Sequence, residues 1–478
     1  MGIQGSRALL TLLVFSLVAA SGCVDETVVL RDPVLFGALP AEAGGFIGYT
    51  DAEAKLTVCG NCHVEKQGDW LATGHAKAWK GLQDSGHASE SCESCHATDE
   101  LGNAATEVAG YSATHDPRYQ DVQCEACHGA GLTHVSDPKS TNHPLAPMQV
   151  ALGSTTGCGE CHQGTHTPFV EQWSASRHGY GAHAPQYRTL NGCKQCHGGE
   201  AALQAWGIQT EFAEQGTNSL GITCAVCHDP HGGPNEGQLR FPLDALDVDQ
   251  NLCMKCHQYR AVPDVALPNR EPHSPQGPLV LGVDVGWIPP GFPYERGTVV
   301  GTHGTAKNVK LCAGCHVNAF EVSDPQTGGH VFTSTGHSFQ AIPCVDADGI
   351  PTGSDDCAKT ASARNFDSCA AGGCHGSPAA AATAMGQAQA RIAGLVSELN
   401  AVLDKVPAAE FDNLDNRFTS AEGAKFNAAL GANPSSAVHN PLLMEALLIA
   451  SIDEVKARYG VSAASAIALT PTFSPPTR

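Results

Sequence analysis

Residues 59–63 read Cys59-Gly60-Asn61-Cys62-His63, and the same Cys-x-x-Cys-His pattern starts again at Cys92, Cys124, Cys158, Cys193, Cys224, Cys253 and Cys312. A ninth, stretched copy runs from Cys369 through Ala-Ala-Gly-Gly to Cys374 and His375. Composition alone gives roughly 0.04 Cys-x-x-Cys-His patterns in a chain of this length, so coincidence is excluded. Two thiols at this spacing, with a His directly after the second, suit covalent haem attachment. The thiols add to two vinyl groups as thioethers, and the imidazole ligates iron. Nine haem c groups are therefore expected. Their cysteines are Cys59/Cys62, Cys92/Cys95, Cys124/Cys127, Cys158/Cys161, Cys193/Cys196, Cys224/Cys227, Cys253/Cys256, Cys312/Cys315 and Cys369/Cys374. The proximal ligands are His63, His96, His128, His162, His197, His228, His257, His316 and His375.

Composition agrees with a chain built around cofactors. The 478 residues are 6% aromatic and 16% charged, with 52 Gly and 29 Pro. That is poor material for a large oily interior, and buried porphyrins can supply the missing apolar mass. The expected fold class is mainly α with extensive irregular loops, a multihaem array with a C-terminal helical cap. The formal net charge of −21 argues against nucleic acid, whose phosphates need basic stripes. It suits docking to basic patches on partner proteins, and equally a solvated acidic surface.

Residues 1–22 read as a targeting segment. Arg7 supplies the positive end and ALLTLLVFSLVAA the apolar stretch, which is too short to span a bilayer. Ala20-Ser21-Gly22-Cys23 resembles a bacterial lipobox, which makes Cys23 the acylated first residue of the mature chain. The alternative is an ordinary secretory signal in which Cys23 is incidental. Val24, rather than Asp, leans toward the outer membrane by that resemblance.

Residues 23–58 are a lead-in. Residues 59–260 hold seven sites spaced 29 to 35 residues apart. Two similar trihaem units are visible, 59–134 and 158–231, followed by the site at 253–257. Each unit has a matching phrase between its first two sites, WLATGHA (70–76) and WSASRHG (173–179), and a His soon after its third site, at His134 and His231. Residues 261–311 have no site and are rich in Pro and Gly, which reads as a long irregular wrap. Residues 312–376 hold the last two sites. Residues 377–478 read as the helical cap, with helical periodicity around 380–406 and a second helix between Pro441 and Gly460.

Beyond the nine proximal ligands, 14 His remain. Nine distal ligands are needed if every iron is held by two imidazoles, which gives a low-spin centre closed to substrate. The candidates are His75 and His178 after the Trp phrases, His134 and His231 after third sites, and His337 in FTSTGHSF. To these are added the isolated His273, His303 and His439, and His166 in CHQGTHTPF. His115 and His330 are rivals for the last place. No local rule says which haem each serves. A four-residue gap between the thiols is unusual, though found in low-potential cytochromes of sulfate reducers. Alternatively, Cys369 and Cys374 pair with Cys344 and Cys357. With a haem at the ninth site, Cys344 and Cys357 are left to form a disulfide. Asp346, Asp348, Asp355 and Asp356 between them fit no standard calcium loop, so a solvated acidic turn is expected.

From Tyr49 to about His231 the chain resembles the group of hydroxylamine oxidoreductase and its tetrahaem cytochrome c acceptor. The resemblance rests on CGNCHVEKQGDWLATGHAKAW, VQCEACHGAGLTH and GITCAVCHDPH. It implies closely packed haems and helical connections, and it covers both carriers and enzymes. No Cys-x-x-Cys-Lys site is present, unlike in the ammonia-forming nitrite reductases. The expected function is electron carriage in the bacterial envelope or at the cell surface, through a chain of bis-His haems. The protein would be tethered by lipid at Cys23, in the periplasm or on the cell-surface face of the outer membrane. Its partners would be other cytochromes or a membrane electron donor, and no catalytic residue is assigned. The alternative is a multihaem oxidoreductase acting on a small nitrogen or sulfur compound at one open haem; a third is a subunit of a cytochrome filament.

Overall fold

Among the described residues, long helices are confined to the C-terminal quarter, and helices of one or two turns joined by irregular chain dominate elsewhere. The structure, a computed structural model, describes residues 39–139, 141–164, 166–179, 185–208, 220–293, 297–371, 374–462 and 467–472. The leader and Cys23 lie outside them, as does His183. Residues 41–478 form one compact unit, separate from residues 1–40. No described helix is long and apolar enough to cross a membrane.

Between residues 41 and 376 the apolar clusters are small. One gathers Phe46, Ala97, Tyr111 and Tyr119, another Tyr49, Trp70 and Ala76, a third Met254, Leu281 and Leu311. Two antiparallel hairpins, Tyr49–Asp51 with Leu56–Thr57 and Phe320–Ser323 with His330–Ser334, are the strand pairs among the described residues. The second delivers the chain directly to His337.

The cap has a conventional core. Its helices are Pro378–Leu403, Ser420–Ala432, Ser436–His439 and Pro441–Tyr459. Leu395, Leu399, Val402, Leu443, Leu447 and Leu448 are buried between them. Each long helix has a physical start signal. Ser377 Oγ accepts from Ala380 N, with Pro378 in the first turn. Asn440 Oδ1 accepts from Leu443 N, with Pro441 next, and Gly460 closes that helix in the left-handed region at φ 65°. Helix Ser420–Ala432 is not among the expected elements. Thr419 and Glu422 start it with a reciprocal capping box, a Thr-x-x-Glu signal present in the sequence. Nearly buried carboxylates tie the cap together through Arg391–Glu445 (2.6 Å) and Lys456–Glu398 (2.9 Å).

The segment 261–311, expected as an irregular wrap, is partly a structural element of the cap. Helix Gln276–Leu281 is buried from Gly277 onward, and Leu279, Val285 and Val299 join the cap core. Buried Asn440 donates to the carbonyls of Leu279 and Val299, at 3.0 Å each. Asn427 accepts from Trp287 N and donates to Trp287 O, both at 2.7 Å. Gly304 passes so close to the Val280 carbonyl that a Cβ there would collide with it, which fixes the backbone beside His303.

Candidate haem-binding sites

Each of the first eight attachment motifs folds into about one turn of helix. The His amide donates back to the carbonyl of the first Cys, as in His63→Cys59 (3.0 Å), His162→Cys158 (3.0 Å), His197→Cys193 (3.1 Å), His228→Cys224 (2.9 Å) and His257→Cys253 (3.1 Å). Helices Cys124–His128 and Cys312–His316 contain theirs whole. One turn puts residues i, i+3 and i+4 on the same side, so both sulfurs and the imidazole converge on one plate-like ligand. The ninth motif differs. Helix Asp367–Ala370 carries Cys369, and Cys374 and His375 follow a bend.

Across from these histidines stand other imidazoles. His63 faces His134, His128 faces His231, His162 faces His75, and His197 faces His273, with ring centroids 6.4, 6.2, 6.1 and 6.3 Å apart. His228 faces His337, His257 faces His178, His316 faces His439, and His375 faces His303, at 6.3, 6.1, 6.3 and 6.1 Å. Metal–imidazole bonds run about 2.0–2.1 Å; two in line, with about 1.1 Å from nitrogen to ring centre at each end, need about 6.3 Å. The rings are too far apart to stack on each other and correctly spaced to hold one metal atom between them.

The ring nitrogens are set for that role. Nδ1 of His96, His128, His228 and His316 lies 2.9, 2.7, 2.6 and 2.9 Å from the carbonyls of Ala78, Pro144, Gly237 and Phe339. Nδ1 of His303 lies 2.8 Å from the Val438 carbonyl. A carbonyl can only accept, so Nδ1 carries the proton and Nε2 keeps its lone pair for iron. Burial, reinforced by the facing imidazole, holds His75 and His178 at about 4 and His439 at about 3, against an ordinary 6.5. At neutral pH these rings are uncharged, the form that ligates. The carbonyl partners belong to the backbone and carry no side-chain signature, so no residue type in the sequence points to them.

Among the described residues, His166 faces no attachment histidine. It is exposed, on the tight turn between helices Cys158–Cys161 and Phe169–Ala175, where Thr167 Oγ1 donates to Cys161 O and Gly164 N to Glu171 Oε1. His115 caps a helix beside Tyr111, and His330 is exposed with Nε2 against Thr333 Oγ1. Among the described residues no second imidazole faces His96. Cys344 and Cys357 form a disulfide, which leaves Cys369 and Cys374 free for the ninth site. Asp346 accepts from Asp348 N and Ile350 N as a turn former. No group of three or more His, Cys, Asp or Glu among the described residues is placed to hold a metal ion by itself.

Residues 58–129 match the family model of cytochrome c554 and c-prime, and residues 152–258 that of cytochrome c3. The chain is a multihaem c-type cytochrome. As such it binds haem c covalently and transfers electrons. When bound, the haems supply one-electron iron couples, while the protein supplies attachment, ligation and surroundings. Two solved structures are similar to this cytochrome. The outer cell wall cytochrome OcwA matches at 18% identity and TM-score 0.45, over 76% of this chain and 75% of that one. The undecaheme cytochrome from the S-layer of Carboxydothermus ferrireducens matches at 17% identity and TM-score 0.49, over 88% and 70%. No curated protein matches.

Proposed function

We propose that this cytochrome carries nine haems and moves electrons in the bacterial envelope or at the cell surface. The observation that carries the reading is the set of eight facing imidazole pairs, each joining an attachment His to a ring from another segment. Irons held on both faces exchange electrons with little rearrangement and offer no site to substrate. The leader sequence and the Cys344–Cys357 disulfide support an oxidising compartment outside the cytoplasm. Acylation of Cys23 would tether the protein to a membrane, with the outer membrane favoured, and other redox proteins would be its electron donors and acceptors. Mass spectrometry of the mature protein should count nine haems and detect the acyl chains. Fewer haems, or an unmodified N-terminus, would refute the corresponding part.

A second reading attaches to His96, which no second imidazole faces among the described residues. An iron open there would make this site the seat of oxidoreductase chemistry on a small nitrogen or sulfur compound. Carbon monoxide added to the reduced protein separates the two readings. An unchanged low-spin spectrum supports the carrier, and a carbon monoxide complex at one haem supports the enzyme.

A further inference from the structure

The cysteines of different attachment sites are close neighbours in a repeating pattern. Cys59 stands beside Cys124, Cys158 beside Cys224, and Cys253 beside Cys312. Each of these is the first cysteine of its site. Cys95 stands beside Cys161, and Cys196 beside Cys256; each of these is the second. At longer electrostatic reach, Cys127 meets Cys158, Cys227 meets Cys253 and Cys256, and Cys315 meets Cys369 and Cys374. In the loaded chain these sulfurs are thioethers, so what the contacts record is proximity of sites.

Hydrogen bonds and helix packing join three of the same neighbours. Thr57 Oγ1 lies 3.8 Å from Cys124 Sγ and accepts from Gly60 N at 3.0 Å, which clamps the sites at Cys59 and Cys124 together. Gly102 N donates to Glu160 Oε2 at 2.6 Å, and Gly157 N to Gly102 O at 3.0 Å, which ties the chain after Cys95 to the turn of Cys158. Helices Cys312–His316 and Asp367–Ala370 pack against each other. The imidazole pairs repeat as well. His75 and His178, from equivalent phrases, face His162 and His257, each belonging to the site about a hundred residues further on than the one before its phrase.

We infer that the nine sites form one line, in the order Cys59, Cys124, Cys158, Cys224, Cys253, Cys312 and Cys369. The sites at Cys92 and Cys193 join its side at Cys158 and Cys253. Redox partners that bring their own cofactor to their surface dock at the two ends. Of the attachment cysteines, Cys62 and Cys374 are the exposed ones, and they belong to the two sites that end the line. This deepens the carrier reading and rests on all nine sites being loaded.

The test uses the full chain with Val64→Cys and Ala379→Cys, two exposed positions beside the ends, bonded to gold contacts for single-molecule conductance. Cys224→Ser with Cys227→Ser removes a site from the line, and Cys193→Ser with Cys196→Ser removes a side site. Mass spectrometry should find each protein lighter by one haem. Conductance should fall at least tenfold further for the first pair than for the second. Equal falls, or a larger fall for the second, overturn the line. A mass that neither pair changes overturns instead the reading of nine loaded sites. Should either pair cost more than one haem, His337→Met and His273→Met make the same comparison with attachment intact. A potentiometric titration then verifies one shifted haem in each.

Discussion

Asp229 Oδ1 lies 3.3 Å from Nδ1 of His231 and accepts the His231 backbone N–H at 3.1 Å. The other carboxylate oxygen takes Arg240 Nη1 at 2.9 Å. Burial would raise the Asp229 carboxyl, but His231 and Arg240 outweigh it and hold it at about 2. The group is therefore ionised at neutral pH. His231 faces His128, so Asp229 stands behind the second imidazole of the site at Cys124. Five other ring nitrogens face neutral backbone carbonyls instead. A carboxylate there makes the ligand more basic and favours the ferric state.

Asp229→Asn should therefore raise the midpoint potential of one haem, by the equivalent of about 1 kcal/mol given the partial exposure of the pair. Asp229→Glu should restore much of the wild-type value. Arg240→Gln, which frees the carboxylate, should lower the same potential. Spectroelectrochemical titration reads all three, and a titration curve that none of them moves would count against His231 as a tuned ligand.

Asp99 gives a pH prediction. Its carboxyl, mostly buried, is raised from 3.8 to about 6 by burial, against the hydrogen bonds from Ser112 Oγ and Leu101 N. The native state therefore holds a proton that the unfolded chain releases between about pH 4 and 6. Stability from this group is full below the unfolded pKa and is lost as pH rises through the folded one. The loss should be about 2 kcal/mol, because each tenfold change in proton affinity is worth about 1.4 kcal/mol before discounting for exposure. Denaturant midpoints between pH 4.5 and 7.5 should fall for the wild type and flatten in Asp99→Asn. An identical slope in both would sink the assignment.

Asn440 is fully buried, caps helix Pro441–Tyr459 and satisfies two carbonyls of the segment 261–311. Asn440→Ala leaves those carbonyls without a partner and removes the cap, so it should cost about 3 kcal/mol. His439 precedes it, so the site at Cys312 should feel the loss first. Thermal scans followed at the Soret band and by far-ultraviolet dichroism should show both effects. A variant as stable as the wild type would mean that cap and haem region are not joined through this residue.

The attachment motifs were legible because covalent chemistry demands a fixed local spacing, which one turn of helix can meet. Phrases repeated in the sequence pointed to His75 and His178, and the structure places both opposite attachment histidines. Which ring faces which was not legible. His63 meets His134 within its own unit, whereas His228 meets His337 more than a hundred residues later, and chain proximity carries no such information. Helix Ser420–Ala432 escaped because Gly423, Lys425, Asn427 and Gly431 blur its apolar period, although Thr419 and Glu422 marked its start. The segment 261–311 escaped for a related reason. Its Pro and Gly content hid Leu279, Val285 and Val299, which are buried by helices from far along the chain. In sequence this segment lies between the sites at Cys253 and Cys312, and it packs into the apolar core of the cap.

The Trp phrases give the sharpest check on ligand exchange between units. Trp70 Nε1 donates to Val122 O at 2.9 Å, and Trp173 Nε1 to Ile222 O at 3.0 Å. Each acceptor lies two residues before a third-site cysteine, Cys124 or Cys224. Thr73 Oγ1 and Ser176 Oγ then donate to Trp70 O and Trp173 O, at 2.7 and 2.6 Å, and shape the turns that present His75 and His178. Trp70→Phe removes one hydrogen bond and leaves a half-buried carbonyl without that donor, at a cost of about 1–2 kcal/mol. The haem it disturbs should belong to the site at Cys158, opposite His75, although the site at Cys59 is nearer in sequence. Paramagnetically shifted haem-methyl resonances identify it: those moved by Trp70→Phe should be the set moved by His75→Met. Trp173→Phe and His178→Met should likewise share a set, from the site at Cys253. Different sets within either pair would break the link between Trp phrase and distal ligand.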